Sequence, residues 1–331
     1  MRTTLVTVFG GSGFIGRNVV RALARDGYRI RVATRWPNLA NFLLPMGHVG
    51  QIQLLRTNVR EPEQVEAALV GSDAVINLCG VLVSSGEQSF DAIHVEAAQT
   101  IAEAARKAGV KSLVHVSALG ADADSESSYA QSKAEGEKRV REAFPDATII
   151  RPSIVFGPED AFFNKFAGLF RWVPPFLPFP ILIGGGKTKF RPVFVGDVAA
   201  AIVKSLTDTR ARGATYELGG PNIYSFRELM EITLAATDRK SWLAPLPFGL
   251  ARLQAFFLQF LPGRLLTPDQ VTLLKTNNVV SEGAKTLADL GIVPTSVEAE
   301  VPSYLWRFRP KGQYEDYAAE DASIAAAQEP R

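Results

Sequence analysis

The feature that most constrains the fold is a glycine-rich turn near the amino end of the chain. An apolar run over residues 5–9 precedes Gly10, Gly13 and Gly16, and a helical pattern and a second strand pattern follow. This order is typical of a βαβ unit that binds a dinucleotide, because glycines permit the tight turn, the approach of a pyrophosphate and close helix packing. The phosphates would bind the N–H groups at the positive end of the new helix.

The spacing is GxxGxxG rather than GxGxxG, so a glycine turn without a ligand stays an alternative. The second strand ends at Arg35, and residues 29–35 contain no acidic side chain that could bind a ribose 2′-hydroxyl. A guanidinium at this position suits a 2′-phosphate, which favours NADP(H) over NAD(H). The alternative is that Arg35 is an ordinary solvated arginine.

Later segments continue the alternation of strands and helices. Strand patterns cover residues 52–57, 74–80, 112–117 and 148–151, and helical patterns cover 62–70 and 88–108. The predicted fold class is α/β, a doubly wound parallel sheet of the Rossmann type. The strand over 74–80 ends in Cys79 and Gly80, and small residues are expected there because a bulky side chain would collide with the cofactor.

Tyr129 and Lys133 share one helix face because they are four residues apart, and Ser117 closes the preceding strand. Together they supply a hydroxyl for a carbonyl oxygen, a phenol that passes a proton and an ammonium that lowers the phenol pKa. The lysine would also bind the nicotinamide ribose. The alternative is a surface tyrosine and lysine without a chemical role.

Composition excludes several other classes. The net charge of +2 gives no argument for nucleic-acid binding, and the single cysteine excludes an internal disulfide. The three histidines lack metal-ligand spacing, so we predict no metal. The first strand pattern starts almost at Met1, so we expect no cleavable targeting segment, and no apolar run is long enough to span a bilayer.

The motifs GGSGFIG, YAQSK, RPSIVFGP and VFVGDVA resemble an extended or atypical short-chain dehydrogenase/reductase. Residues 43–55, 75–80, 127–160 and 162–166 resemble more closely the short-chain-dehydrogenase-like accessory subunit of respiratory complex I, a likeness that covers roughly residues 3–240. The resemblance implies a tightly held, structural NADPH. The contacts that it implies are Gly10, Gly13, Phe14, Ile15, Gly16, Arg35, Asn58, Cys79, Gly80, Tyr129, Lys133, Pro152 and Ser153.

The same resemblance implies partners and a location. The partners would be other complex I subunits of the peripheral arm near the quinone site, with contact to the membrane surface. The location would be peripheral, on the cytoplasmic face of a bacterial inner membrane or on the matrix side in a mitochondrion. Two further hypotheses stay open: an NADPH-dependent reductase or epimerase acting on a small carbonyl or nucleotide-sugar substrate, and a redox-sensing NADP(H) regulator.

The C-terminal half contains two strongly apolar stretches. Residues 166–183 include four prolines, so we expect an apolar loop. Residues 248–261 would form a helix that is apolar around most of its circumference, which requires cover from the chain's own core, a partner subunit, lipid headgroups or a substrate beneath it as a lid. We predict a cofactor domain over 1–155 with a contribution from 190–220, a smaller mixed subdomain over 156–310 and a flexible tail over 311–331.

Overall fold

The computed structural model describes residues 4–172, 178–260 and 266–312. Its first half alternates strands and helices as the sequence predicts. The elements in chain order are β1 (Leu5–Phe9), α1 (Phe14–Arg25), β2 (Arg29–Thr34), β3 (Ile52–Arg56), α2 (Pro62–Leu69), β4 (Ala74–Asn77), α3 (Ala97–Lys107), β5 (Ser112–Val116), α4 (Ser128–Ala143) and β6 (Thr148–Pro152).

The second half contains shorter strands and more helix. Its elements are β7 (Val155–Phe156), α5 (Phe163–Phe170), β8 (Pro178–Ile183), β9 (Lys189–Phe190), β10 (Val193–Phe194), α6 (Val195–Ser205), β11 (Thr215–Leu218), β12 (Tyr224–Ser225), α7 (Phe226–Ala236), β13 (Trp242–Leu246), α8 (Phe248–Leu258), α9 (Pro268–Leu273) and α10 (Val297–Leu305).

Seven parallel strands form the central sheet in the order β11-β6-β5-β4-β1-β2-β3. The chain runs outward from β1 to β3 and then returns to β4 on the other side of β1, which makes the β1/β4 boundary the topological switch point. Ligands of doubly wound sheets bind outside the carboxyl ends of the strands at this point. The predicted fold class is confirmed, with the addition of β11 from residues 215–218 at the far edge.

Apolar side chains cover both faces of the sheet. One buried cluster joins α1 and α6 to the sheet, and a second joins α2 and α3 to the opposite face. A third cluster lies within the C-terminal half and is rich in phenylalanine and leucine. The α7 helix begins with a capping box, a local pattern visible in the sequence, in which Ser225 and Glu228 each bind the other's backbone N–H.

The predicted apolar loop over residues 166–183 is wrong at both ends. Its first residues belong to α5, which ends before the first proline, and its last residues form β8. β8 pairs only with β13 of the strands described, so its prolines occur where a missing N–H is tolerated. Residues 173–177 lie outside the described part of the chain, as do 313–331 of the predicted tail.

The predicted continuous helix over 88–108 is also corrected. It begins with a π-helical turn over Asp91–Glu96, and regular α-helix follows only from Ala97. A Cβ at Gly136 of α4 would collide with the carbonyl oxygen of His94, so α4 crosses this turn in close contact. Wide turns of this kind are frequent at functional sites, and this one carries the buried His94 toward α4.

Candidate functional site

The glycine turn lies at the switch point and is sterically fixed. Gly10 has φ +76°, and a Cβ there would lie 3.1 Å from the carbonyl carbon and oxygen of Leu78 after β4. A Cβ at Gly16 would overlap the backbone of Gly10 and approach the Cα of Gly11 to 2.6 Å. Gly10 therefore permits a left-handed backbone against β4, and Gly16 permits α1 to start directly on the turn.

The start of α1 offers donors for an anion. Gly13 is the N-cap residue and supplies no capping side chain, and the first turn contains no acidic residue. The N–H groups of Phe14, Ile15 and Gly16 have no acceptor within the helix, as at every helix start. The positive end of the helix dipole and these N–H groups fit a pyrophosphate.

Arginine side chains lie at the ends of β2 and β3. Arg35 follows the last residue of β2 and is exposed, and its guanidinium makes only a long hydrogen bond of 3.4 Å, to the Gln88 side chain, among the described residues. Arg35, Trp36 and Arg56 line one open cavity of about 570 Å³. Sequence reasoning missed Arg56, although its position at the end of β3, in register with Thr34, was a usable signal.

The residues predicted after β3 and β4 reach the same edge of the sheet, with different surroundings. The Asn58 side chain accepts a hydrogen bond from the N–H of Arg60, 3.3 Å away, so it turns back into its own loop. Burial raises the pKa of the Cys79 thiol to about 12, which keeps it protonated. A Cβ at Gly80 would lie 3.1 Å from Nζ of Lys133, so the absence of a side chain here makes room for that lysine.

Ser117, Tyr129 and Lys133 all lie buried or half-buried near this edge. Ser117 Oγ is buried and has no hydrogen-bond partner among the described residues, so it is free to bind a ligand oxygen. The Lys133 ammonium is 6.0 Å from the centre of the Tyr129 ring. Burial lowers the pKa of Lys133 to about 8 and raises that of Tyr129 to about 12. The sequence-based expectation of a lowered phenol pKa is therefore wrong for this arrangement.

A buried histidine, His94, belongs to the same cluster and was missed as a site residue. Its Nε2 accepts the N–H of Val81 at 3.0 Å, so its Nδ1 carries the hydrogen and donates to Ser132 Oγ at 2.9 Å. The ring packs edge-on against Tyr129, with 5.5 Å between the ring centres. Burial, assisted by Lys133, lowers the pKa of His94 to about 3. A neutral His94 therefore links the loop after β4 to α4.

His115 lies on β5 and is buried. The Asn77 amide donates to its Nδ1 at 3.1 Å, because the Asn77 oxygen already accepts the N–H of Cys79. The hydrogen of His115 is therefore on Nε2, which is buried and has no partner in the described part of the chain. Burial lowers the pKa of His115 to about 3.

Two side chains from the C-terminal half hydrogen-bond to the segments that carry the candidate site residues, and sequence reasoning missed both. Asp269, in the first turn of α9, accepts hydrogen bonds from Ser127 Oγ and the N–H of Ser128, both at 2.9 Å, and so caps α4. Asn278 accepts from Ser153 Oγ at 2.6 Å and donates to the carbonyl of Leu119 at 3.1 Å. Both contacts join positions at least 125 apart in the chain, which is why local patterns gave no signal.

Comparisons with known proteins agree with this geometry. The NAD dependent epimerase/dehydratase family model matches residues 6–219, and the chain belongs to this family, within the extended short-chain dehydrogenase/reductases. Subunit 9 of the mitochondrial NADH dehydrogenase (ubiquinone) 1 alpha subcomplex of Mus musculus is 36% identical over 317 residues, which is 92% of this chain and 80% of the relative. The chain is thus a homologue of accessory subunits of complex I.

Two further matches are informative. The ceramide reductase of Caulobacter vibrioides is 31% identical over 222 residues, covering 64% of this chain and 67% of that protein. The crystal structure of the NADPH-dependent quinone oxidoreductase QOR2 of Escherichia coli, complexed with NADPH, has a TM-score of 0.70 at 21% identity, with 91% of this chain and 99% of that chain covered. At this identity the second match shows the shared fold.

Proposed function

We propose that this protein is an NADPH-binding accessory subunit of respiratory complex I, in which the nucleotide has a structural role. The observation that carries the proposal is the extent of the match. The family model ends at residue 219, whereas the mouse complex I relative matches over 92% of the chain. The C-terminal half therefore follows the complex I relatives too.

The site fits NADPH in three places. The N–H groups of residues 14–16 would bind the pyrophosphate, and Arg35 with Arg56 would bind the 2′-phosphate. Tyr129 and Lys133 would bind the nicotinamide ribose. When bound, NADPH supplies a hydride donor, but in this role its contribution is to join the turn, the end of β2 and α4 in one arrangement.

This site also borders the C-terminal half. A Cβ at Gly157 would lie 3.5 Å from the Phe14 ring, and Arg17 of α1 pairs with Glu159 at 3.4 Å. A nucleotide bound at the start of α1 would therefore stabilise the surface formed by residues after 155. We propose that this surface docks on the peripheral arm near the quinone module, at the cytoplasmic face of a bacterial inner membrane.

The test is purification of the protein from membranes of its source in mild detergent. The proposal predicts that it migrates with complex I activity on native gels and that alkaline extraction, in which reduced nicotinamide nucleotides are stable, releases one NADPH for each copy of the chain. A protein that is found entirely apart from complex I would contradict the assignment. The variant Arg29→Ala, at the opposite end of β2, is a suitable control for nucleotide content.

A second candidate function is supported by the intact side chains of the site. Ser117 Oγ is buried and has no hydrogen-bond partner among the described residues, and the Lys133 ammonium is 6.0 Å from the centre of the Tyr129 ring. In a reductase, Ser117 would donate a hydrogen bond to a substrate carbonyl, and Tyr129 would deliver the proton to the oxygen as it becomes an alcohol. The ceramide reductase relative favours a carbonyl on a lipid over a nucleotide sugar.

The two functions are separated by the Tyr129→Phe variant. A reductase loses turnover of its carbonyl substrate by about a hundredfold or more, because the proton donor is gone. A structural subunit keeps its migration with complex I in the same variant, and its NADPH affinity falls only by the single ribose contact that is lost. Steady oxidation of NADPH by the wild-type protein with a long-chain keto lipid would support the reductase, and its absence across a substrate panel would reject it.

A further inference from the structure

The α8 helix has two apolar faces, and the chain covers only one of them. Ala251 and Ala255 are fully buried and pack against Ile183 of β8 and Val271 of α9. On the other side, five large apolar side chains are between 51% and 75% exposed: Leu250, Leu253, Phe256, Phe257 and Phe260. Of the alternatives left open for this stretch, complete cover by the chain's own core therefore does not hold for the described residues.

The exposed residues form a continuous strip. At about 100° per residue, they occupy an arc of about 120° on α8 and the turn that follows it. Arg252 borders the arc on one side and Gln254 on the other, and both are exposed. The strip, which we call the α8 strip, is thus defined by Leu250, Leu253, Phe256, Phe257 and Phe260. Contiguous exposed apolar surface of this kind marks an interaction site.

The charge of the segment that carries the α8 strip, and of the segment paired with it, indicates what the strip contacts. Residues 161–196 and 239–268 contain nine basic residues and no acidic residue. The whole chain has 36 basic and 34 acidic side chains, so the remainder has 27 basic and 34 acidic, a net charge of −7. The two acid-free segments also meet in space, because β8 pairs with β13 and the Phe248 ring lies against Gly184. One carboxylate outside these segments, Glu126, has its pKa lowered mainly by Lys275 and to a smaller extent by Arg252.

From this combination we propose that the α8 strip inserts into the headgroup region of an anionic lipid bilayer. A short helix with an apolar face and basic flanks lies in the plane of such an interface, with its apolar side chains below the headgroups. The exposed basic residues of the acid-free segments, among them Lys187, Lys240 and Arg252, would face anionic headgroups. None of the described helices is long and apolar enough to cross a bilayer, so attachment by this strip would be peripheral.

The strip is also connected to the cofactor site. α8 packs on α9, and Asp269 of α9 caps the helix that carries Tyr129 and Lys133. A bilayer bound to α8 would therefore also restrain α9, the helix whose Asp269 caps α4. The inference rests on the proposed function for its membrane location, but it assigns the contact to a particular surface and a particular partner.

The experiment is flotation of the purified full chain with lipid vesicles of two compositions: phosphatidylcholine alone, and phosphatidylcholine with about one third phosphatidylglycerol. We expect the chain to float with the anionic vesicles and to be released by high salt. The double variant Phe256→Ser/Phe257→Ser should lose at least about tenfold in partitioning. Its matched control is Val49→Ser/Val293→Ser, which removes two exposed apolar side chains elsewhere and should float normally.

Charge is tested by Lys240→Gln/Arg252→Gln, which should weaken partitioning about fivefold for each residue removed. The control, Lys111→Gln/Lys138→Gln, should have no effect. Equal flotation of the Phe256/Phe257 variant and wild type would overturn the inference, and so would absence of flotation with both vesicles. Concentration-dependent self-association that the Phe256/Phe257 variant abolishes would also overturn it, because a second copy would then cover the strip.

Nucleotide content and migration with complex I are measured on the same preparations. A protein that holds NADPH and migrates with complex I but does not float contradicts this inference alone. A protein that floats but has neither property contradicts the proposed function alone. The variants change only side chains that are at least half exposed or polar, so retained NADPH also reports that they are folded.

Discussion

Replacing Arg35 with alanine tests the cofactor preference most sharply. The Arg35 side chain is exposed, and its only hydrogen bond to another described residue is a long one, 3.4 Å, to the Gln88 side chain. Its loss should change the free energy of unfolding by less than about 0.5 kcal/mol, as for other surface positions. The variant is therefore expected to be folded, and any change in nucleotide affinity reports on the ligand contact itself.

The expected change in affinity follows from the contact that is lost. Hydrogen bonds to a charged group contribute about 1.5–3 kcal/mol each, and 1.4 kcal/mol corresponds to about tenfold in Kd. With one such contact to a 2′-phosphate, Arg35→Ala should raise the Kd for NADPH by about 10- to 150-fold. The Kd for NADH should stay within about twofold, because NADH has no group at that position.

The assay is isothermal titration of nucleotide-free protein with NADPH and with NADH. Arg29→Ala is the matched control, since Arg29 is exposed at the opposite end of the same strand. Arg56→Ala should also weaken NADPH selectively, because Arg56 lines the same cavity as Arg35. Equal weakening of both nucleotides by Arg35→Ala, or no weakening of either, would refute the assignment of the 2′-phosphate to this arginine.

Three further predictions concern the same site. Gly16→Ala should abolish nucleotide binding in titrations, because its Cβ would overlap the backbone of Gly10, whereas Gly249→Ala, with no atom within 4 Å of its Cβ, should bind normally. Burial lowers the pKa of Lys133 from 10.5 to about 8, so between these pH values the unfolded chain binds more protons than the folded one, and stability rises with pH. In urea titrations the stability of wild type relative to Lys133→Met should therefore increase by about 3 kcal/mol from pH 8 to 10.5, and a difference that is flat or falls would contradict the buried ammonium. Asp269→Ala should lower the free energy of unfolding by about 1–2 kcal/mol through loss of the α4 cap, with a smaller loss for Asp269→Asn, and equal losses would exclude a role for its acceptor oxygens.

The sequence predicted the parts of the fold that depend on local patterns. Strand runs, the glycine turn and the capping box at Ser225 are set by residues close together in the chain, and the structure confirms each of them. The proline-rich stretch over 166–183 was predicted wrongly for a physical reason. Proline excludes a helix interior but not an edge strand that offers no N–H at that position, and β8 uses this exception.

The sequence predicted candidate site residues only where a local motif marks them, as in the first βαβ unit and the segment with Tyr129 and Lys133. Gly10, Gly16 and Arg35 come from the first βαβ unit, whereas Asp269 and Asn278 reach it from more than a hundred residues away. The pKa of Tyr129 was predicted in the wrong direction, because the sequence shows the lysine four residues on but not the burial of the phenol. The environment of a side chain is a property of the tertiary packing, which spacing does not contain.

The exposed side of α8 is a second feature that the sequence pattern alone did not determine. The sequence shows that residues 248–261 are apolar almost all round, and the base rate for such residues favours a core position. Among the described residues of this stretch, the structure buries only the two alanines fully and leaves five large apolar side chains exposed. Which part of an apolar helix a chain covers depends on how much surface its neighbours offer, and here β8 and α9 cover one face.

The central claim is that this chain binds NADPH at the glycine turn as part of a complex I assembly. Native mass spectrometry of the protein, purified gently from its own membranes, tests both halves of that claim in one measurement. The account predicts complex I subassemblies that contain the chain with a mass increment equal to a single NADPH. A chain that is recovered without nucleotide, takes up none when NADPH is added, and has no complex I subunit attached would contradict it.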